Sequence, residues 1–310
     1  MQCMEVWGGN QFADSGVVMA GLDAWVYSKP YGGSGEGGDV YYVSACATGR
    51  ILRLLVADVA GHGEKVGKIA VGLRSLMRKH VNQIDQKNFV RSMNRQFSEF
   101  AQDGCFATAV VSTFFAPTGR LTLCNAGHPF PLLYRAATGK WSCVENARRS
   151  SSDKPLNLPL GVLDLADYQT FDIPLRVGDL VLCYTDSLVE SRGSDGKMLG
   201  HEGLLDIARS VQVSDPATVV PGLLAAIAAK HPGNLTADDV TVLLFRPNGL
   251  GRRPSIARQI AGVGKLAASI ARSLRPGGEP VPWPDFKLPN IGGAIIPRLQ
   301  RLWSARDDGQ

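Results

Sequence analysis

The stretch Ile51-Leu52-Arg53-Leu54-Leu55-Val56-Ala57-Asp58-Val59-Ala60-Gly61-His62-Gly63 joins an apolar run to a single acid and then to a glycine-bearing turn. Its aliphatic and β-branched residues read as an extended segment. Past the turn the period changes. Val66, Ile69, Ala70, Leu73 and Met77 fall on one face at helical spacing, which predicts a helix to about residue 80. A second helix over 86–101 would bury Phe89, Met93, Phe97 and Phe100.

Working outward, residues 22–27 and 39–47 read as strands before this unit. Segments 106–115, 121–125, 131–134, 168–175 and 179–185 read as strands after it, with turns at Pro117-Thr118-Gly119 and Thr138-Gly139. Helices are expected over 199–211 and 217–229, and a last strand over 240–245. Strands joined by short turns, with helices inserted in pairs, predict an α+β fold of antiparallel sheets covered by helices. A parallel sheet would alternate strand and helix regularly.

Composition sets broad limits. With 310 residues, 45% hydrophobic and 20% charged, the chain has the profile of a globular protein, either one large domain with an appendage or two domains. No apolar stretch is long enough to span a bilayer, and the first nine residues do not read as a secretory signal. Six cysteines lie far apart with no C-x-x-C pair, as expected for buried free thiols in a cytoplasmic protein.

The net charge of +5 is unevenly spread. From Gly249 onward ten basic residues face four acids, which leaves the first 248 residues at about −1. Nucleic-acid binding by the body is therefore not expected. The tail carries Ile256, Ile260, Val263, Leu266, Ile270 and Leu274 on one helical stripe, with Arg258, Lys265 and Arg272 opposite. Such a helix suits an anionic membrane surface or a protein partner, or it folds back onto the body with a solvated basic face.

The acids carry the chemistry. Asp39 opens one strand, Asp58 and Asp186 close two others, and Asp238-Asp239 precede a fourth. An aspartate at a strand end is commonly a turn or capping residue. If these ends converge, they form a cluster of hard oxygen ligands suited to Mg²⁺ or Mn²⁺. Phosphate monoesters react very slowly without catalysis, with accelerations of up to about 10²¹ needed, so a water activated by two ions is a fitting device.

Several strings occur in order: Gly37-Gly38-Asp39, Ala57-Asp58-Val59-Ala60-Gly61-His62-Gly63, Phe106-Ala107-Thr108-Ala109, Asn125-Ala126-Gly127-His128-Pro129, Leu158-Pro159-Leu160-Gly161, Tyr184-Thr185-Asp186 and Asp238-Asp239-Val240-Thr241. Over residues 20–246 the chain closely resembles the SpoIIE-type bacterial branch of the PPM family of metal-dependent protein phosphatases.

The resemblance implies a four-layer αββα sandwich, two antiparallel β-sheets flanked by helical pairs. A phosphatase domain would occupy 1–248 and a basic Pro/Gly-rich tail 249–310. It also implies two Mn²⁺ or Mg²⁺ ions at one end. Asp58 would bridge them and Val59 would lend its carbonyl. Asp186 and Asp238 would complete the second ion, with Asp239 the alternative if the register shifts by one. Asp39 would hold an ion or its waters. The implied substrate is phosphoserine or phosphothreonine in a protein, attacked by water without a phospho-enzyme. In this branch it is commonly a small regulator of the anti-sigma-antagonist kind.

Three positions depart from the family pattern. Val43 stands in a region where a second acid is common, and Ser187 replaces a glycine. His62 lies further from Asp58 than the histidine of the eukaryotic branch does from its aspartate. His62 could protonate the leaving group, or cap and pack the start of its helix. His128 would order Asn125 near the site or simply fix its loop. The glycine-dense segment 32–38 lacks a following Gly-Lys-Ser/Thr, so it reads as a strand connection, and Glu36 breaks a nucleophile elbow at Ser34. The missing acid near Val43 leaves open a non-catalytic phosphoprotein-binding module on the same fold.

Overall fold

A computed structural model describes residues 3–46, 48–61, 64–101, 104–144 and 156–250. Two six-stranded sheets pack face to face. One has the order β1-β4-β5-β6-β7-β10: Cys3–Gly9, Asp39–Cys46, Ile51–Val59, Ala107–Phe115, Arg120–Ala126 and Phe171–Pro174. The other has the order β2-β3-β12-β11-β8-β9: Ala13–Met19, Leu22–Lys29, Val240–Pro247, Leu180–Tyr184, Leu132–Arg135 and Lys140–Cys143. Every pairing between these strands is antiparallel.

Strand alternation explains the layers, because successive side chains point to opposite faces. On β5, Leu52, Leu54 and Val56 face the second sheet, together with Leu243 and Phe245 of β12. Leu55, Ala57 and Val59 face outward and are covered by α1 (Glu64–His80) and α2 (Gln86–Phe100). Leu182, Tyr184, Val242 and Leu244 on the far side of the second sheet pack under α4 (Gly200–Ser210) and α5 (Pro216–Ala228). The order of layers is therefore helices, sheet, sheet, helices, as the resemblance implied. A short α3 (Ser187–Glu190) follows β11 directly.

Where side chains are described the expected helix faces are the buried ones; the Phe100 side chain lies outside what the structure describes. Val66, Ala70, Leu73 and Met77 of α1 and Phe89, Met93 and Phe97 of α2 lie in one core with the first sheet, and Ile69 is partly buried against it. Asp85 caps α2 by accepting from the Asn88 amide at 2.6 Å, a contact worth about 1 kcal/mol. Arg53 is buried in this layer. Its guanidinium stacks on Phe89 at 4.4 Å and donates to the Gln83 and Ile84 carbonyls, tying β5 to the turn between the helices.

Three strands escaped the sequence reading. β1, β2 and β9 each lie at an edge of a sheet; β1 and β2 carry Gly8-Gly9 and Asp14-Ser15-Gly16 where an apolar run would have marked a strand, and β9 is only four residues long. None of the six cysteines is in a disulfide; four are buried, and Cys105 and Cys143 are half-buried. Among the described residues, no helix is long and apolar enough to cross a membrane. The amphipathic stretch expected over 256–274 lies outside the described residues, as does His62.

Candidate metal centre

Antiparallel pairing brings the first two acids together. Asp39, the first residue of β4, sits directly opposite Asp58, the penultimate residue of β5. Across β11 and β12, Tyr184 pairs with Val242, so the residues just beyond those strand ends, Asp186 and Asp238-Asp239, meet at the same pole of the second sheet. The sandwich superposes the two ends.

The electrostatics reports the convergence. Burial raises the Asp58 carboxyl to about 7, helped by the negative charges of Asp186, Asp238, Asp239 and Glu190. Burial also raises Asp186 to about 6, with Glu190 and Asp238 adding to it. Asp39, only 4% exposed, is pushed well above the usual carboxylate range by burial, then by Asp58 and Asp239. Six acids from four strand ends and α3 thus share one pole.

Asp238 and Asp239 do different things. Asp238 is exposed, and its carboxylate accepts from the Asp239 amide at 2.8 Å. Asp239 turns inward onto backbone amides: Tyr31 at 2.6 Å, Gly38 at 2.5 Å and Asp39 at 3.4 Å. This clamp explains Gly37-Gly38. A Cβ on Gly37 would stand 2.6 Å from an Asp239 oxygen, and one on Gly38 would stand 3.0 Å from the Val59 carbonyl. The pair is there for close approach and not for a loose connection.

Glu190 was missed in the sequence. It lies one helical turn after Asp186, its amide donating to the Asp186 carbonyl at 2.9 Å, which brings its charge to bear on both Asp186 and Asp58. The i, i+4 spacing in Asp186-Ser187-Leu188-Val189-Glu190 was the available signal.

The departures from the family pattern have local explanations. Val43 is fully buried between the sheets opposite Leu54, where a carboxylate would be desolvated among apolar side chains. Ser187 begins α3, and Asp186 before it is itself in the right-handed helical region (φ −61°, ψ −26°), so the turn makes no demand for glycine.

His128 is buried in a loop it helps to build. Its amide donates to the Asn125 side chain and its carbonyl accepts from it, both at 2.8 Å, while its Nδ1 meets the Thr108 hydroxyl at 2.8 Å. Thr108 is the partner of Asp58 across β5 and β6, so the loop braces that strand end. Gly127 (φ +68°) lets the loop pass Pro159, which a Cβ would approach to 2.6 Å.

The donor set is all oxygen and strongly negative, which suits hard divalent ions. Among the described residues, no group of three His, Cys, Asp or Glu side chains is close enough to ligate one ion as it stands. Asp239 is engaged by the Tyr31 and Gly38 amides. Mg²⁺ commonly keeps several waters and takes only one or two protein carboxylates, so spaced acids are compatible with it. On that chemistry the residues fit.

Comparison with known proteins places the chain in context. The family model described as Stage II sporulation protein E (SpoIIE) matches residues 48–248. The RsbU and RsbW domains of Rv1364c from Mycobacterium tuberculosis share the fold with 22% identity and a TM-score of 0.61, covering 86% of this chain and 76% of that one. The PP2C phosphatase domain with a regulatory fragment of SpoIIE from Bacillus subtilis is similar at 19% identity and a TM-score of 0.61, covering 76% of this chain and 65% of that one. RsbX in complex with magnesium is similar at 15% identity and a TM-score of 0.55, covering 76% of this chain and 100% of that one.

Proposed function

Since this chain belongs to the SpoIIE family of PP2C-type protein phosphatases, we propose that it removes phosphate from serine or threonine of a protein substrate, using two Mn²⁺ or Mg²⁺ ions. The observation that carries the proposal is the meeting of Asp39 and Asp58 from one sheet with Asp186, Asp238 and Asp239 from the other. Buried like charges are costly without a cation, and no basic side chain is among the largest influences on Asp58.

In this reading Asp58, the Val59 carbonyl, Asp186 and Asp238 would hold the ions. Asp39 orients an ion or its waters from its buried position, and Asp239 holds the Gly37-Gly38-Asp39 turn in place. Such ions lower the pKa of water and neutralise phosphoryl oxygens during in-line displacement. The magnesium complex of RsbX, a protein of the same fold, supports the choice of ion. His62 is the candidate to protonate the departing serine oxygen.

The substrate we propose is a small regulatory phosphoprotein of the anti-sigma-antagonist kind, acting in bacterial signalling. Family membership supports this. Residues 1–248 would form the phosphatase domain and 249–310 a basic appendage that contacts a membrane surface or partner. A catalytically silent binding module is disfavoured, because the valine that suggested it lies in the core away from the acids.

The test is hydrolysis of a phosphoserine peptide with Mn²⁺, in wild type and in Asp58→Asn and Asp186→Asn, with folding checked by circular dichroism. Turnover that requires Mn²⁺ and vanishes in both folded variants supports the proposal. Equal turnover in the variants rejects it.

A further inference from the structure

We propose that Thr185 is a positioning residue whose hydroxyl locks the Asp39 carboxylate and so sets the spacing between the acids of the two sheets. The proposal rests on the two-ion reading above, and nothing in the family resemblance assigned Thr185 a role.

Thr185 is fully buried at the end of β11, in the second sheet, while Asp39 opens β4 in the first. Its Oγ1 lies 2.8 Å from Asp39 Oδ2, so the contact crosses the sandwich. The hydroxyl is itself held: the Thr241 amide donates to Oγ1 at 3.0 Å, and the Thr185 amide donates to the Thr241 carbonyl at 3.0 Å. A threonine hydroxyl has one proton. The Thr241 carbonyl is the alternative acceptor at 3.4 Å, and the carboxylate at 2.8 Å is nearer and charged.

The chain of contacts continues inward. Thr241 Oγ1 meets Ser28 Oγ at 3.0 Å, joining β12 to β3. Thr185 immediately precedes Asp186, and Thr241 follows two residues after Asp239. The strand ends that carry the second sheet's acids therefore also grip the first sheet's buried acid. With Oδ2 taken by Thr185, the carboxylate cannot rotate freely, and its branched partner has little χ1 freedom of its own.

Valine matches threonine in shape but lacks the donor and strands the Thr241 amide. Serine keeps the donor. The test is calorimetric titration of Mn²⁺ into the full 310-residue chain, comparing wild type, Thr185→Val, Thr185→Ser and Asp39→Asn with and without Thr185→Val. Groups that orient ligands typically change metal affinity by about 10–100-fold.

We expect Thr185→Val to bind Mn²⁺ about tenfold or more weakly and Thr185→Ser to stay within about threefold of wild type. Thr185→Val should add nothing once Asp39 is Asn. Should Thr185→Val not fold, Ser28→Ala carries the test by removing the hydroxyl that holds Thr241, whose amide donates to Thr185 Oγ1, with a loss of about threefold expected. Wild-type binding with an unchanged isotherm in the folded variant overturns the inference. Absence of Mn²⁺ binding in wild type overturns the two-ion reading itself.

Discussion

Asp39 and Asp58 face each other directly across β4 and β5, two carboxylates at one pole of the sandwich with no basic side chain among the largest influences on either. Their placement costs stability in the absence of a cation, which gives the account its most accessible consequences.

Removing one charge should stabilise the metal-free fold. Asp58 has a folded pKa raised to about 7, against about 3.9 when unfolded, so its favourable contribution is present at low pH and lost as pH rises through 7. In EDTA, Asp58→Asn should melt close to wild type near pH 4 and higher than wild type at pH 8, by on the order of 5–10 °C. Scanning calorimetry of both proteins across that range is the check, and a gap that closes with rising pH would oppose the assignment.

Asp239 should matter as an acceptor of backbone amides. Asp239→Ala leaves the amides of Tyr31 and Gly38 without their acceptor, at a cost of about 2–3 kcal/mol in urea unfolding. Asp239→Asn keeps one oxygen and should lose less. Gly37→Ala should resemble Asp239→Ala, because the new methyl would displace the same carboxylate.

His128 should stay neutral through the working pH range. Burial lowers its pKa to about 3, so its stability contribution is present above about 6.5 and lost as pH falls toward 3. Its imidazole resonances should show no titration between pH 5 and 8 by NMR. His128→Ala should destabilise the fold by about 2–3 kcal/mol through the lost imidazole contact with Thr108 and the cavity left behind, the backbone contacts with Asn125 being kept.

Glu190, exposed on α3, should tune ion affinity without setting the fold. Glu190→Gln removes a charge that acts on Asp58 and Asp186, so Mn²⁺ binding should weaken by about threefold with the melting temperature in EDTA unchanged or slightly higher. Titration calorimetry and a melt on the same sample separate the two effects.

Much of the fold could be read from pattern. The run closing at Asp58 and the helical stripe Val66–Met77 gave the central strand and its covering helix, because burial selects residues at fixed period. Edge strands lack that pressure on their outer side, so β1 and β2, with their glycines and polar residues, left little trace. Arg53 sits inside an apolar run, and nothing local reveals that its guanidinium stacks on Phe89.

The site divided along the same line. Asp39, Asp58 and Asp186 stood out as acids ending apolar segments. The clamp by Asp239 and the grip of Thr185 on Asp39 depend on pairings 201 and 146 residues apart in sequence. No local pattern encodes such distances. Glu190 was hidden for a simpler reason: an exposed glutamate on a helix is ordinary until its neighbour's strand is placed.

The most direct measurement is the number of Mn²⁺ ions bound per chain, by equilibrium dialysis with elemental analysis, in wild type and Asp58→Asn. The account predicts two ions in wild type and loss of at least one in the folded variant. A folded wild-type protein that dephosphorylates a phosphoserine peptide while holding no divalent ion would contradict it.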